Sequence, residues 1–171
     1  MKRILFIFAM IVLLVPSCKK EAEQKQEAPE PGQLFEKGME IQATKQGRLE
    51  WKMQVKTLTQ KEEEVKKVHG EDVKLFLYDS EEKLMVEVVS EEGTANLTTN
   101  NVVLNGNVRL VNKQNKTKLY TDILNYNSEK EQIYTESTVK IVKENSEING
   151  KGMVADLAMN EIVIKETYGK K

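Results

Sequence analysis

Cys18 and His69 are the only residues of their types in this 171-residue sequence. A nucleophilic cysteine needs a base beside it, and a zinc site needs several thiolate or imidazole ligands, so this pair supplies neither. His69 precedes Gly70, which predicts a solvated loop residue. Asp122 and Asp156 adjoin predicted turns, where a carboxylate typically accepts hydrogen bonds from backbone amides. The sequence therefore predicts no catalytic residue, no metal site, no cofactor and no enzymatic activity.

The charged residues are numerous but balanced. The sequence contains 26 basic and 27 acidic side chains, which gives a formal net charge of −1. A domain that binds nucleic acid usually carries a basic excess that follows the phosphates. We therefore expect no nucleic-acid partner, and the composition favours a binding module.

The N-terminus has the organisation of a secretory signal. Two basic residues precede the apolar run Ile4–Val15, which is shorter than the roughly 20 residues that a membrane-spanning helix needs. Val15-Pro16-Ser17-Cys18 resembles a bacterial lipobox, although Pro16 departs from the usual pattern. We predict a lipoprotein-type signal peptide at residues 1–17 and lipidation of Cys18, where more than one acyl chain would give stable anchoring. Retention of the segment as an anchor, or an ordinary secretory signal with an incidental cysteine, stays open.

The rest of the chain divides into a polar stretch and a domain. Residues 18–46 are predicted to be the lipidated N-terminus and a flexible polar tether, because their charge-mixed composition buries too little apolar surface to order itself. An apolar cluster from Leu34 to Ile41 leaves a lead-in strand open as an alternative. Residues 47–167 are predicted to form one domain, and residues 168–171 a basic tail.

Apolar and polar residues alternate along most of the domain. From Leu49 to Val55 every second residue is apolar and the residues between them are polar, which predicts a half-buried strand. The same alternation recurs between Val73 and Ile164. Turn signals such as Glu92-Gly93 and Asn105-Gly106-Asn107 separate these runs. The pattern predicts an all-β domain of short antiparallel hairpins, in which only residues 59–68 leave a short helix open.

The second half of the chain contains an internal repeat. The apolar pattern of Val108–Thr135 recurs in Val139–Ile164, and a fainter copy precedes both in Val73–Leu104. Units of this size bury a continuous apolar seam only when neighbouring copies stack. Gly150 and Gly152 stand in the repeat where the sister residues are larger, which indicates a sheet corner.

One set of side chains is predicted to face inward by this alternation. A stripe of this kind is typical of a packed core and also of a ligand groove, and periodicity does not distinguish the two. The set consists of Trp51, Met53, Leu75, Leu77, Val86, Leu104, Leu110, Leu119, Leu124, Tyr126, Ile133, Ile141, Met153 and Ile164.

Four segments of the domain resemble the LptC family of lipopolysaccharide-export proteins. They are Leu49–Met53 with its tryptophan, Val103–Val108, Leu119–Tyr126 and Ile148–Asp156. Two of these elements are shared with the related soluble protein LptA, so Trp51 and the N-terminal anchor favour LptC. The resemblance implies a twisted antiparallel β-jellyroll, open along one side, whose apolar interior carries lipopolysaccharide acyl chains. The inward-facing set would then line a lipid groove.

The resemblance also implies docking at both ends of the domain. The N-terminal edge would meet an inner-membrane ABC transporter complex, and the C-terminal edge would continue the sheet into a soluble LptA-like bridge protein. Gly47, Gly150 and Gly152 match glycines of the family pattern and are expected to affect docking. The last strand, with Ile162, Val163 and Ile164, is either an edge protected by its flanking charges or an acceptor for an incoming strand, and the resemblance favours the acceptor.

The implied function is that of a membrane-anchored periplasmic protein that accepts lipopolysaccharide from the transporter and passes it to the bridge protein. Lys19, after Cys18, would favour the outer membrane under enterobacterial sorting rules. Because sorting rules differ among bacteria, anchoring to the inner membrane is expected, and the outer membrane stays open. The alternative function is that of a structural or adaptor lipoprotein whose β-domain binds a protein partner and carries no lipid.

Overall fold

The computed structural model describes residues 38–60, 66–144 and 146–168. The predicted signal segment, Cys18 and most of the predicted tether lie outside these residues. The described part of the chain contains ten strands and no helix. The strands are β1 (Met39–Lys45), β2 (Arg48–Val55), β3 (Thr57–Thr59), β4 (Lys67–Tyr78), β5 (Leu84–Asn96), β6 (Val102–Asn112), β7 (Lys118–Asn127), β8 (Gln132–Lys143), β9 (Ser146–Asp156) and β10 (Ile162–Tyr168).

All ten strands belong to one antiparallel sheet. Their order is β1-β2-β4-β5-β6-β7-β8-β9-β10, and the short β3 pairs with the N-terminal part of β4. From β4 onwards each strand pairs with the next one in sequence, as expected when tight turns connect antiparallel strands. The all-β antiparallel jellyroll expected from the sequence is confirmed. The internal repeat corresponds to overlapping strand triplets: β4–β6, β6–β8 and β8–β10.

A line of register shifts crosses the middle of the long strands. The shifts lie between Val89 and Glu92 in β5, and at corresponding points in β6, β7 and β8. Gly106 and Asn107 in β6 and Gly152 in β9 adopt positive φ angles along the same line. Because such bulges bend a strand, we call this line the corner. It divides the sheet into a first half, which contains β1 and β2, and a second half, which contains β3 and the N-terminal part of β10.

The corner corrects two sequence predictions. Glu92-Gly93 lies inside β5 and Asn105-Gly106-Asn107 lies inside β6, so neither segment is a hairpin turn. The left-handed backbone at Gly106 forms a bulge, and the chain continues beyond it in the same strand. Local turn chemistry cannot distinguish these outcomes, since both use positive φ. The domain therefore has fewer, longer and bent strands in place of the short hairpins that were expected.

Two further positions differ from expectation. Strand β1 lies within residues 18–46, predicted as tether, because Ile41 and Ala43 pair with the apolar face of β2. His69 was predicted in a solvated loop but lies half-buried in β4, where its Nδ1 is 2.9 Å from Thr94 Oγ1. Of the stretch 59–68, which left a helix open, residues 61–65 lie outside the described chain, and Thr59, Lys67 and Val68 belong to strands.

Candidate functional site

One row of apolar side chains crosses the inner face of the first half from edge to edge. Successive members are direct cross-strand partners, so the row runs perpendicular to the strands. Its members are Ile41, Met53, Leu75, Val88, Leu110, Leu119, Ile141 and Ile148. We call it the first row.

A second row crosses the inner face of the second half in the same way. Its members are Val68, Ala95, Val102, Tyr126, Ile133, Ala155 and Ile162, again linked by direct pairing. The two halves fold against each other, so both rows belong to one apolar cluster except for the exposed Ile148.

The side chains predicted to line a groove are brought together in this cluster. All of them except Ile164 are buried, with exposed fractions of 3% or less. Ile164 is half-buried and packs against the cluster. The interior is therefore filled by the protein's own side chains between its ends.

The ends of the rows are less covered than their middles. Ile41 on β1 and Ile162 on β10 are half-buried. Ile148 at the β9 end of the first row is 44% exposed, because β10 pairs with β9 only from Asn149 onwards. The inward-facing prediction omitted Ile148, although the repeat aligns it with Leu119 and could have identified it.

The three glycines predicted to affect docking have different surroundings. Gly47 forms the β1–β2 turn with φ +79°, and a Cβ there would meet no atom within 4 Å. A Cβ on Gly150 would lie 2.5 Å from both the Glu166 carbonyl oxygen and a methyl group of Ile164. Gly152 has φ +69°. The close approach of β10 therefore requires glycine at position 150.

The C-terminal edge strand is exposed and apolar in part. Val163, on the outer face of β10, is 66% exposed, while Ile162 and Ile164 turn towards the interior. Lys165 pairs with Glu136 on β8. Beside the predicted docking residues, the edge thus carries a charged side chain of the kind that protects edge strands.

Opposite the corner, the free tips of the two halves meet along a line that we call the mouth. Trp51 on β2 donates from Nε1 to the Asn100 carbonyl oxygen at 2.9 Å. Asn112 on β6 donates from its amide to the Leu157 carbonyl oxygen at 3.1 Å. These contacts join the β2 and β6 tips of the first half to the β5–β6 and β9–β10 connections of the second.

A buried carboxylate lies at the mouth. Glu50 is 6% exposed and accepts hydrogen bonds from Tyr126 Oη at 2.8 Å, from Ser128 Oγ, and from Asn100 Nδ2 at 2.8 Å. Burial and the neighbouring Glu50 carboxylate both raise the pKa of Tyr126 far above its usual range. The phenol therefore stays protonated and able to donate.

Alternation predicted Glu50 on the polar face of β2, and the structure corrects this. Ala43 pairs with Trp51 and Thr44 with Leu49, which leaves Glu50 as the extra residue of a bulge. A bulge re-aims the extra side chain, and here it turns Glu50 into the mouth. No sequence signal distinguishes this glutamate from its exposed neighbours.

Other concave or ionisable regions offer no catalytic arrangement in the described part of the chain. A groove of about 800 Å³ runs along the outside of the corner, and its lining mixes Arg109 and Lys140 with Glu91 and Asp122. Asp156 accepts the backbone amides of Asn160 and Glu161, as the sequence predicts, and Asp122 lies exposed within β7.

Two features are absent from the part of the chain that the structure describes. No group of three or more His, Cys, Asp or Glu side chains could hold a metal ion in these segments. None of their elements is a helix of sufficient length and apolarity to cross a bilayer.

The fold resembles that of a solved lipopolysaccharide-transport protein. The crystal structure of LptH from Pseudomonas aeruginosa, described as the LptA-homologous periplasmic component of the conserved lipopolysaccharide transport device, superposes with a TM-score of 0.56. The identity is 14%, and the alignment covers 68% of this chain and 82% of that chain. No curated protein sequence matches the chain.

The sequence itself matches a protein family over nearly its whole length. The matching family is described as "Lipopolysaccharide-assembly, LptC-related", and the match spans residues 3–168. The protein therefore belongs to the LptC-related family of lipopolysaccharide-assembly proteins, which are periplasmic transport components and not enzymes.

Proposed function

We propose that this protein accepts lipopolysaccharide from an inner-membrane ABC transporter and passes it, through its apolar interior, to a soluble bridge protein. The observation that carries the proposal is the pair of apolar rows, which cross the sheet from edge to edge. The likeness to LptH, a periplasmic component of the lipopolysaccharide transport device, supports the same use of the fold.

An apolar path explains both holding and release. Burying an acyl chain yields roughly 25 cal/mol per Å² of apolar surface, and rows of similar side chains provide similar affinity at each step. Net movement then comes from the ATPase of the transporter, because a uniform path has no direction of its own. No side chain of this protein needs to react.

The free edges of the sheet suit stacking at both ends. In the proposal, β1 faces the transporter and β10 faces the bridge protein. The unpaired main-chain groups of β10 around Ile162–Ile164 would accept a strand, so that the partner continues the sheet. A lipid anchor at Cys18 would keep β1 close to the inner membrane.

The direct test uses two exposed isoleucines that differ in which face they occupy. Ile148 is 44% exposed at the end of the first row, and Ile123 is 41% exposed on β7 beside the corner. Ile148→Glu should lower lipopolysaccharide export about tenfold or more. The charge makes the end of the first row less favourable for an acyl chain, and a loss of ~1.4 kcal/mol in binding free energy is a tenfold loss in affinity.

The Ile123→Glu chain is the matched control and should export normally. Export is measured as newly made lipopolysaccharide that reaches the outer membrane in cells depleted of the native protein. Equal export by both variants, with both chains folded and present at wild-type levels, would contradict a path that ends at Ile148.

The adaptor function remains the second candidate, and the filled interior favours it. The groove-lining residues make a core that could serve only to support a binding surface. Depletion separates the two functions, because loss of a carrier leaves lipopolysaccharide at the inner membrane whereas loss of an adaptor leaves its distribution unchanged.

A further inference from the structure

The filled interior requires the two halves to separate before an acyl chain can occupy it. At the corner this separation is opposed by covalent chain, since β5, β6, β7 and β8 run through it without interruption. At the mouth, no backbone-to-backbone hydrogen bond joins the two halves among the residues that the structure describes. The mouth is therefore the side at which the halves separate most easily.

Side chains provide the hydrogen bonds across the mouth, and they form two clusters. The first is centred on Glu50 and includes Tyr126, Ser128 and Asn100, with Lys45 donating to the Ser128 carbonyl oxygen at 2.7 Å. We call it the Glu50 latch. The second cluster lies on the other side of Leu157, where Asn112 and Asn115 donate to the carbonyl oxygens of residues 157 and 158 at 3.1 and 2.8 Å.

A small cavity lies beside the Glu50 latch. Its volume is about 220 Å³, and Leu49, Tyr78, Tyr126 and Leu157 contribute to its lining. Sites for drug-sized ligands usually measure about 300–1,000 Å³, so a lipid with several acyl chains does not fit unless the mouth widens. Tyr126 belongs both to this lining and to the second row, and it thereby connects the cavity with the interior.

The latch chemistry suits repeated opening. A buried carboxylate is stable only while its hydrogen-bond donors are in place, and Glu50 has three of them in the closed form. When the mouth opens, water replaces these donors, so the Glu50 carboxylate accepts hydrogen bonds in both forms. A ligand that binds one of the two forms better then shifts the equilibrium towards that form.

We propose that the mouth is a lateral gate held by the Glu50 latch, through which lipopolysaccharide acyl chains insert between the two halves. This inference rests on the proposed function. In this inference the acyl chains enter between the two halves at the mouth. The uncovered ends of the two rows then serve the transfer of lipopolysaccharide to and from neighbouring proteins.

The test locks the mouth with a reducible crosslink. Lys45 and Glu131 form an ion pair across it, with Nζ and Oε1 3.1 Å apart, so cysteines at both positions can be joined by a disulfide-containing bismaleimide. Gln42 and Lys52 are direct partners on β1 and β2 within the first half, and a cysteine pair there is the matched control. Both chains also carry Cys18→Ser, so that only the engineered thiols react.

The readout is the amount of purified lipopolysaccharide that each immobilised full-length chain retains. The Lys45/Glu131 crosslink should lower retention about tenfold, and reduction of the linker should restore it, whereas the Gln42/Lys52 crosslink should leave it unchanged. Equal retention by the locked and control chains would overturn the gate and leave the proposed function standing. No retention by the uncrosslinked chains would overturn the proposed function, and the gate with it.

Discussion

The corner and the mouth hold the same two sheet halves together by different means. Continuous strands cross the corner, whereas at the mouth side-chain hydrogen bonds connect the halves, above all those to Glu50. In the proposed opening, covalent continuity at the corner would keep the halves aligned while the mouth widens. The difference indicates that a sheet folded on itself can be rigid along one side and separable along the other without a separate hinge.

Removing the largest side chain at the mouth should have the largest effect. Trp51 is fully buried and donates to Asn100, so Trp51→Ala should lower the free energy of unfolding by about 3–5 kcal/mol. Urea denaturation measures the change. Val163→Ala, at a site that is 66% exposed, should change it by less than about 0.5 kcal/mol, and similar losses for both variants would contradict the packing described at the mouth.

Removing the latch carboxylate should loosen the mouth selectively. Glu50→Ala leaves the donors of Tyr126, Ser128 and Asn100 without their acceptor, at an expected cost of about 1–3 kcal/mol. Hydrogen exchange should accelerate first in β1 and β2. If exchange rises equally in the corner segments of β6 and β7, the mouth is not a separate opening unit.

A substitution at the corner should destabilise the fold without opening the mouth. Gly106 has φ +78°, and a Cβ there would contact the side chain of Glu91. Gly106→Ala should lower the free energy of unfolding by about 1–2 kcal/mol, the usual cost of a left-handed non-glycine residue. Hydrogen exchange in β1 and β2 should then accelerate only as much as it does in the rest of the sheet. Selective acceleration in β1 and β2 would contradict the distinction between corner and mouth.

The smallest effect concerns the protonation of Tyr126. Its pKa is raised by burial and by Glu50, so the folded state holds this proton more tightly than the unfolded chain does. The resulting stability is present below pH about 10, the ordinary tyrosine pKa, and is lost as the pH rises above it. An absorbance titration of the folded protein should show a tyrosine ionisation at raised pH, which Tyr126→Phe removes. A titration that Tyr126→Phe leaves unchanged at raised pH would contradict the buried Tyr126–Glu50 contact.

Periodicity predicted the parts of the fold that depend on burial. It assigned Met53, Leu75 and Leu119 to one apolar face, and pairing joins them in the first row. It failed at Gly106 and Glu50. At both positions a bulge adds a residue to one strand, which bends the strand or turns a side chain to the other face of the sheet. A bulge depends on the partner strand, so a single stretch of sequence does not encode it.

The sequence predicted which side chains form the apolar cluster, and it did not predict how closely the two halves pack. The repeat and the family resemblance indicated an apolar path, yet alternation gives the same pattern for a filled core and for an open groove. Whether side chains such as Leu124 or Ile133 meet lipid depends on how far the two halves stand apart. The hydrogen bonds that join the halves at the mouth involve Glu50, Asn100 and Asn112, which the sequence presents as ordinary surface polar residues.

The most direct measurement compares two neighbouring residues on opposite faces of β7. A photoreactive leucine analogue at Leu124, which is 1% exposed inside, or at Ile123, which is 41% exposed outside, is activated in cells that are exporting lipopolysaccharide. A carrier should yield lipopolysaccharide adducts from position 124 and few from position 123. Adducts from neither position, or from position 123 alone, would contradict an interior that carries lipid.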